Sequence, residues 1–594
     1  MTCIRPYAVV LCALLLASAL VGPSPVSAQD DPNDTQQGQV LPDIAPRVVE
    51  IRGNLELSLP TLQRQPLIGF NPPPRVAAVP PDRRPYVEDY KQESIDLPPS
   101  PLRPPDPPPA ASLIGGTPLN GSLKAAGGLY LSRSLDFRSE WGVTDRAAIY
   151  SRLDYEGSLG HDAAGSFEED VTASYDALDA LVGVQNTTRW ATVGFEIDGF
   201  LNAYRLFGAF PAADYPALRD DPPFRDGRGG GALLRVTTQA ATGVDLDLSV
   251  RYGVAQYETD ALSGVVGTGA SVDPDAFLRE EASLELESHL GVPLSERSDV
   301  LGDVHFTGLG FGETIGSDVV MLDGAGGARL RVENRVEITG LARLMSFSQG
   351  DTSSAFFASP DLLVNIYPTR GFRLYAQNAP RAEHRSTASM YRLNPYLVDG
   401  PLVQPTIYTV DARAGARVQM GLFEADAHLG YSRAPHFRYF ERATNAESGG
   451  YRHGMIAARY DGAAISYVGG DVSVSLPAGF HVSGGLTVRD GALTDDDRDI
   501  PYFAPMIARG GLSWSVGRAF IQATTIFESA RDVDAAGSRR LGDFFDLDVD
   551  ASYRLTDRLG ALLRFQNLSS GYLERWEHHE RSPFIISAGI QARW

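Results

Sequence analysis

At 594 residues, with a formal net charge of -22 and a mean hydropathy of -0.15, the chain is long enough for one large domain and too acidic for nucleic acid, whose phosphates need a basic surface. Beyond the first 28 residues no apolar run is long enough for a spanning helix, so a helical membrane protein is excluded. Lys91 and Lys124 are the only lysines, which leaves arginine, a forked donor suited to carboxylates, to carry nearly all the positive charge.

Residues 1–28 read as an export signal: Arg5 supplies the basic region, Ala8 to Val21 the apolar segment, and Val26-Ser27-Ala28 a small-residue cleavage site. Cleavage near Ala28 would leave a mature chain starting at Gln29. Both cysteines, Cys3 and Cys12, lie in the signal, so the mature protein has no disulfide, thiol nucleophile or Cys-bound metal. Residues 29–117 are proline-rich, with 18 of the chain's 40 prolines lying between Pro42 and Pro109. Runs such as Pro72-Pro73-Pro74 lack backbone donors and favour extended polyproline conformation. This segment is expected to be an extended or disordered linker, periplasmic or luminal. Val48 to Gly53 within it offers a short strand able to pair with a periplasmic protein partner.

From residue 118 to 594 the chain repeats alternating segments joined in turn by tight turns and long polar loops. Val244, Leu246, Leu248, Val250, Tyr252 and Val254 alternate with Asp245, Asp247, Ser249, Arg251 and Gly253. Phe545 to Tyr553 alternates likewise with Asp546, Asp548, Asp550 and Ser552, and Phe423 to Tyr431 with Glu424, Asp426 and His428. The charges Asp245, Asp247, Arg251, Glu285, Glu287, Asp546, Asp548, Asp550, Arg554 and Arg564 are expected to face a lumen. Related short turns recur at Thr144-Asp145-Arg146, Ser295-Glu296-Arg297, Pro368-Thr369-Arg370-Gly371 and Thr556-Asp557-Arg558. The long connections, including Gly208 to Arg228, Pro380 to Gly400, Arg531 to Arg540 and Ser570 to Arg581, carry the Pro, Gly, Asp and Tyr of exposed outer loops. An even strand number is required if both ends lie on the periplasmic side, and about 475 residues at about 20 to 24 per strand and connection give about 22 strands.

The last strand is the strongest local signal. Phe584, Ile586, Ala588, Ile590, Ala592 and Trp594 fall on one face, while Ser587, Gly589, Gln591 and Arg593 fall on the other. This ending resembles the C-terminal assembly signal of bacterial outer-membrane β-barrels, and the physics agrees: an apolar face for lipid, a polar face for a lumen, and an aromatic at the interface. The expected fold is therefore all-β, a single large closed antiparallel transmembrane barrel of about 22 strands with a Pro-rich N-terminal segment. Its partners would be outer-membrane lipid and the barrel-assembly machinery of a Gram-negative cell.

Two stretches resemble TonB-dependent receptors. Phe565-Gln566-Asn567-Leu568, followed by Tyr572, Glu574, Trp576, Pro583 and the last strand, is similar to the end of those barrels. Asn394-Pro395-Tyr396-Leu397, followed by Pro405-Thr406 and Ala414-Gly415, is similar to a mid-barrel stretch. The resemblance implies solute uptake across the outer membrane. It departs from the family in one respect: those receptors carry a folded plug and a TonB box, where this chain has only the proline-rich segment.

No Gly-x-Ser-x-Gly elbow and no convincing His–Ser dyad is present among the ten scattered histidines, so the chain is not expected to be an enzyme. No metal or cofactor is expected either. His578-His579 beside Glu577 and Glu580 reads as a solvated polar loop rather than a metal site, and Asp495-Asp496-Asp497 with Asp499 reads as a charged loop tip. A transport barrel is the leading reading. The alternative is an outer-membrane anchor or scaffold whose N-terminal segment binds a periplasmic protein.

Overall fold

The structure, a computed structural model, describes residues 120–594 except 145, 162–171, 212–221, 239–242, 260–277, 313–317, 334, 351–352, 445–450, 496 and 570–572. The export signal and the proline-rich segment lie outside the described residues.

The chain forms a closed 22-strand antiparallel β-barrel. Numbered along the chain, its strands are β1 (Gly121–Gly128), β2 (Arg133–Thr144), β3 (Ala147–Ser158), β4 (Tyr175–Thr187), β5 (Ala191–Arg205), β6 (Phe224–Thr238), β7 (Asp245–Thr259) and β8 (Leu278–Ser295). There follow β9 (Ser298–Phe311), β10 (Val319–Val332), β11 (Val336–Gln349), β12 (Ser353–Thr369), β13 (Phe372–Asn378), β14 (Val410–Met420), β15 (Phe423–Arg442) and β16 (Ile456–Leu476). The ring is completed by β17 (Phe480–Leu493), β18 (Met506–Val516), β19 (Ala519–Glu528), β20 (Phe544–Arg554), β21 (Leu559–Gln566) and β22 (Ile585–Arg593).

Each strand pairs with its neighbour in sequence, and β1 closes the ring on β22 from Ser122↔Arg593 to Gly128↔Ser587. Closure leaves no open edge of unpaired backbone donors, the condition for a sheet surrounded by lipid. The closing seam is tight. A Cβ on Gly589 would sit 2.1 Å from the Ala125 carbonyl oxygen, so the strand needs glycine there.

Alternation sorts the side chains. Tyr252 (53%), Leu429 (62%), Val468 (63%) and Ile590 (63%) are exposed on one face, while polar neighbours such as Asp426 and Gln591 are buried on the other. Three of the tight turns share one device, a hydroxyl that accepts the next backbone donors. Thr144 Oγ1 accepts from Arg146 and Ala147 N–H, Ser295 Oγ from Arg297, and Thr556 Oγ1 from Arg558 and Leu559. That is why Thr/Ser-x-Arg recurs at one end of the barrel.

Candidate functional site

At the other end, described residues of several long connections are buried rather than exposed. The one between β13 and β14, residues 379–409, folds across the mouth of the ring. It starts and ends on a short ribbon in which 381–383 pairs with 406–408. Between them Ser386 caps helix α1 (Thr387–Leu393), its hydroxyl accepting from Ser389 N–H. The connection then touches widely separated walls. Ala382 N–H donates to Asp323 of β10 at 3.0 Å, and Thr387 N–H to Glu281 of β8 at 2.7 Å. Arg392 pairs with Asp179 of β4 at 2.7 Å. Leu397 bridges Ile456 of β16. Walls that lie so far apart around the ring are reached together only from within its circumference. The expectation that Pro380 to Gly400 is an exposed loop is therefore corrected: Met390, Asn394 and Leu397 have no exposed surface and Tyr391 only 2%. Their apolar area packs against Tyr257, Ile456 and Ala458 of the wall instead of meeting water.

Arg225, near the start of β6, is the anchor of this cap. Its side chain is fully buried. Nη1 donates to the carbonyl oxygens of Pro395 (2.5 Å) and Leu397 (2.7 Å), Nη2 to Asp399 Oδ1 (2.7 Å), and Nε to Thr259 Oγ1 (3.3 Å). Thr259 in turn donates to the same Asp399 oxygen at 2.6 Å. The guanidinium also lies over the Tyr391 ring, 4.4 Å from its centroid. Burial pushes the Tyr391 phenol up to about 12, so it stays neutral; its hydroxyl donates to Val398 O and accepts from Gly400 N–H. A buried charge is tolerable only when paired and bonded in this way.

Other long connections close over the first. Tyr396 stacks on His579 with centroids 3.3 Å apart, and Phe207 meets both rings edge-on. His579 Nε2 donates to Gly454 O at 2.6 Å. Burial holds this imidazole neutral, with its pKa pushed down to about 3. The reading of His578-His579 as solvated is corrected for His579, which is buried. Glu577, also buried, pairs with Arg442 and with Arg539 at 2.9 Å. Trp576 packs with Phe440 and Tyr502, in one cluster with Val533 and Leu541. The stretches Arg531 to Arg540 and Ser570 to Arg581 thus contribute buried residues rather than a freely exposed fringe.

Below the cap the polar face carries ion pairs. Arg343 joins Asp323 at 2.9 Å and Asp361 at 3.0 Å, both buried carboxylates, and Arg329 joins Asp299 at 2.7 Å. The ten charged residues singled out from sequence fall on two separate arcs. On β7 and β8, Arg251 pairs with Asp198 at 2.6 Å and stands opposite Glu285, Glu287 approaches His305 at 3.8 Å, Asp247 accepts from Thr237, and Asp245 lies at the strand start. On β20 and β21, Asp550 pairs with Arg564 at 2.7 Å, Asp546 and Asp548 share Arg581, and Arg554 donates to Gly517 O. No arrangement brings the two arcs together. In the last strand Ser587 and Gln591 are buried, Ala588 and Ile590 exposed, and Ile586 and Ala592 intermediate. Trp594 packs by Phe137, and Phe584, just before β22, stacks with Phe565.

Among the described residues no group of three or more His, Cys, Asp or Glu side chains is placed to hold a metal. Asn567, from the stretch resembling TonB-dependent receptors, has a structural role. It adopts a φ of 49°, which asparagine tolerates, accepts a hydrogen bond from Ser569, and donates to Asp548 and to Ser582 O. Arg225 and Arg343 were not singled out from sequence, and the cap was read only as an outer loop containing the Asn394 to Leu397 stretch that resembles TonB-dependent receptors. The available signal was Met390, Tyr391, Leu393, Tyr396 and Leu397 crowded into one connection.

No protein-family model and no curated protein matches the chain. Its fold matches solved TonB-dependent receptors. The FrpB iron transporter from Neisseria meningitidis aligns with a TM-score of 0.62 at 13% identity over 82% of this chain and 83% of that one. The copper transporter OprC gives 0.57 at 13% over 80% of each. The siderophore receptor PirA from Acinetobacter baumannii gives 0.59 at 10% over 81% of each.

Proposed function

We propose that the chain is an outer-membrane barrel of a Gram-negative bacterium, exported through its N-terminal signal, that takes up or passes a solute through a lumen governed by residues 379–409. The observation that carries this reading is the buried Arg225, which ties that connection across the ring. A ring of 22 strands encloses more space than wall side chains fill, so a closed state needs an obstruction within it. The cap supplies one, and its half-exposed Arg392 can also contact a solute at the mouth. The structural neighbours, named for iron, copper and siderophores, support uptake as the activity. Outer-membrane lipid and the assembly machinery are the partners this reading requires; a periplasmic protein bound through residues 29–117 belongs to the anchor alternative.

The test is reconstitution in liposomes and planar bilayers of the full mature chain and of a variant with residues 386–403 replaced by a short Gly-Ser connection. The variant should pass small sugars and conduct far more than the parent. Equal conductance in the two would remove the cap as the barrier, and a variant that stays closed to solutes would leave the barrel as an anchor.

A further inference from the structure

The turn end of the barrel, opposite the cap, holds a second feature. A shallow, open depression lies among β18–β22 and their turns, lined by Arg518, Arg554, Arg558, Arg593, Gln591 and Asp557 among others. Four arginines at one place are unexpected in a chain of net charge -22. They spend their donors weakly. Arg518 reaches Leu555 O at 3.2 Å, Arg554 reaches Gly517 O at 3.4 Å, and Arg593 reaches Gln591 Oε1 at 3.0 Å. None of the four forms an ion pair with a carboxylate among the described residues, whereas arginines elsewhere on the polar face, such as Arg343, Arg251 and Arg564, do. Four guanidinium groups against the single carboxylate of Asp557 leave the site with an excess of positive charge, and a carboxylate-bearing ligand relieves that repulsion.

The chain itself carries such a ligand next to the pocket. Gly121 exchanges backbone hydrogen bonds with Trp594, and Ser122 pairs with Arg593. The chain therefore enters β1 at the rim where Arg593 sits. Upstream, Tyr86 to Leu97 carries Glu88, Asp89, Glu93 and Asp96 against the single Lys91. The stretch between Leu97 and Gly121 can span up to about 70 Å at ~3.1 Å per residue, ample for that segment to turn back to the rim.

We infer that the arginine pocket is a docking site for the acidic segment Tyr86 to Leu97 of the same chain, its carboxylates meeting Arg518, Arg554, Arg558 and Arg593. The contact fixes the N-terminal segment against the β18–β22 side of the barrel. It does not depend on the transport reading, since an anchor barrel would hold the segment in the same way.

The mature chain lacks cysteine, so engineered pairs report directly. Ser94→Cys with Ser552→Cys places one thiol in the segment and one in the pocket wall; Ser94→Cys with Ser475→Cys places the second thiol at the end of β16, elsewhere on the same rim. Under mild oxidation of the full mature chain at low salt, the first pair should form the intramolecular disulfide and the second should not. Adding Arg518→Glu and Arg558→Glu, both exposed turn positions, should lower the crosslink about tenfold, as expected for losing two exposed ion pairs. A heat-dependent gel shift checks that each barrel is folded. Equal crosslinking of both pairs shows a freely ranging tether and overturns the inference, as does a crosslink indifferent to charge reversal. A crosslink seen in detergent but abolished in phosphatidylglycerol vesicles assigns the pocket to lipid phosphate and overturns it too.

Discussion

Replacing Arg225 by methionine keeps most of the side-chain volume while removing every bond that holds the cap to β6. Asp399 then loses its cation, and the carbonyl oxygens of Pro395 and Leu397 lose their donor where Leu397 is buried and Pro395 and Asp399 are half-buried. Breaking a buried charge pair from one side costs about 3–5 kcal/mol. Applied to the cap rather than the ring, that shifts its opening equilibrium by roughly 10² to 4 × 10³, at about 1.4 kcal/mol per factor of ten. The comparison is Arg392→Met, which loses a half-exposed pair to Asp179 worth about 0–1 kcal/mol. Single-channel recording should show long open bursts for Arg225→Met and near-parental closure for Arg392→Met. Limited trypsin digestion should cut Arg225→Met within 379–409 while the heat-dependent gel shift of the barrel is retained. Parental conductance and protease resistance in a folded Arg225→Met barrel would refute the anchor, and with it the magnitude.

Acid should loosen the cap. The His579 pKa is lowered by burial to about 3 from an ordinary value near 6.5, so the free imidazole binds a proton that the packed one refuses. The packed form is favoured fully above about 6.5 and loses ground as pH falls towards 3; hydrogen exchange of 574–580 and 396–400 should rise over that window, and His579→Gln should flatten the response. In the last strand, Trp594→Asp and Phe584→Asp should each impair insertion, a charge on the lipid face costing up to about 2–4 kcal/mol at depth, whereas Gln591→Asp should insert nearly as the parent; equal yields in heat-shift gels would show that the two faces are assigned wrongly. Arg343→Met leaves the buried Asp323 and Asp361 without their cation and should lower the temperature of the gel-mobility transition, by more than Arg564→Met, whose pair with Asp550 is more exposed.

The alternation of Val244 to Val254, of Phe545 to Tyr553 and of the final strand marked two-faced membrane strands, because side-chain direction in a strand flips with every residue and leaves its record locally, and the length of the strand-bearing region then set their number at about 22. The Thr/Ser-x-Arg turns were legible for the same reason, their hydrogen bonds spanning two or three residues. The cap was not legible. Arg225 binds Pro395, Leu397 and Asp399 from about 170 residues away, and nothing near Arg225 in sequence distinguishes it from any other arginine on a polar face. His579 and Trp576 sit among charges that suggested solvent, yet they are buried because connections from β5, β13, β15 and β21 arrive at one mouth together. A strand carries its environment in its period. A connection takes its environment from whatever the closed ring brings to face it, and only the tertiary structure decides that.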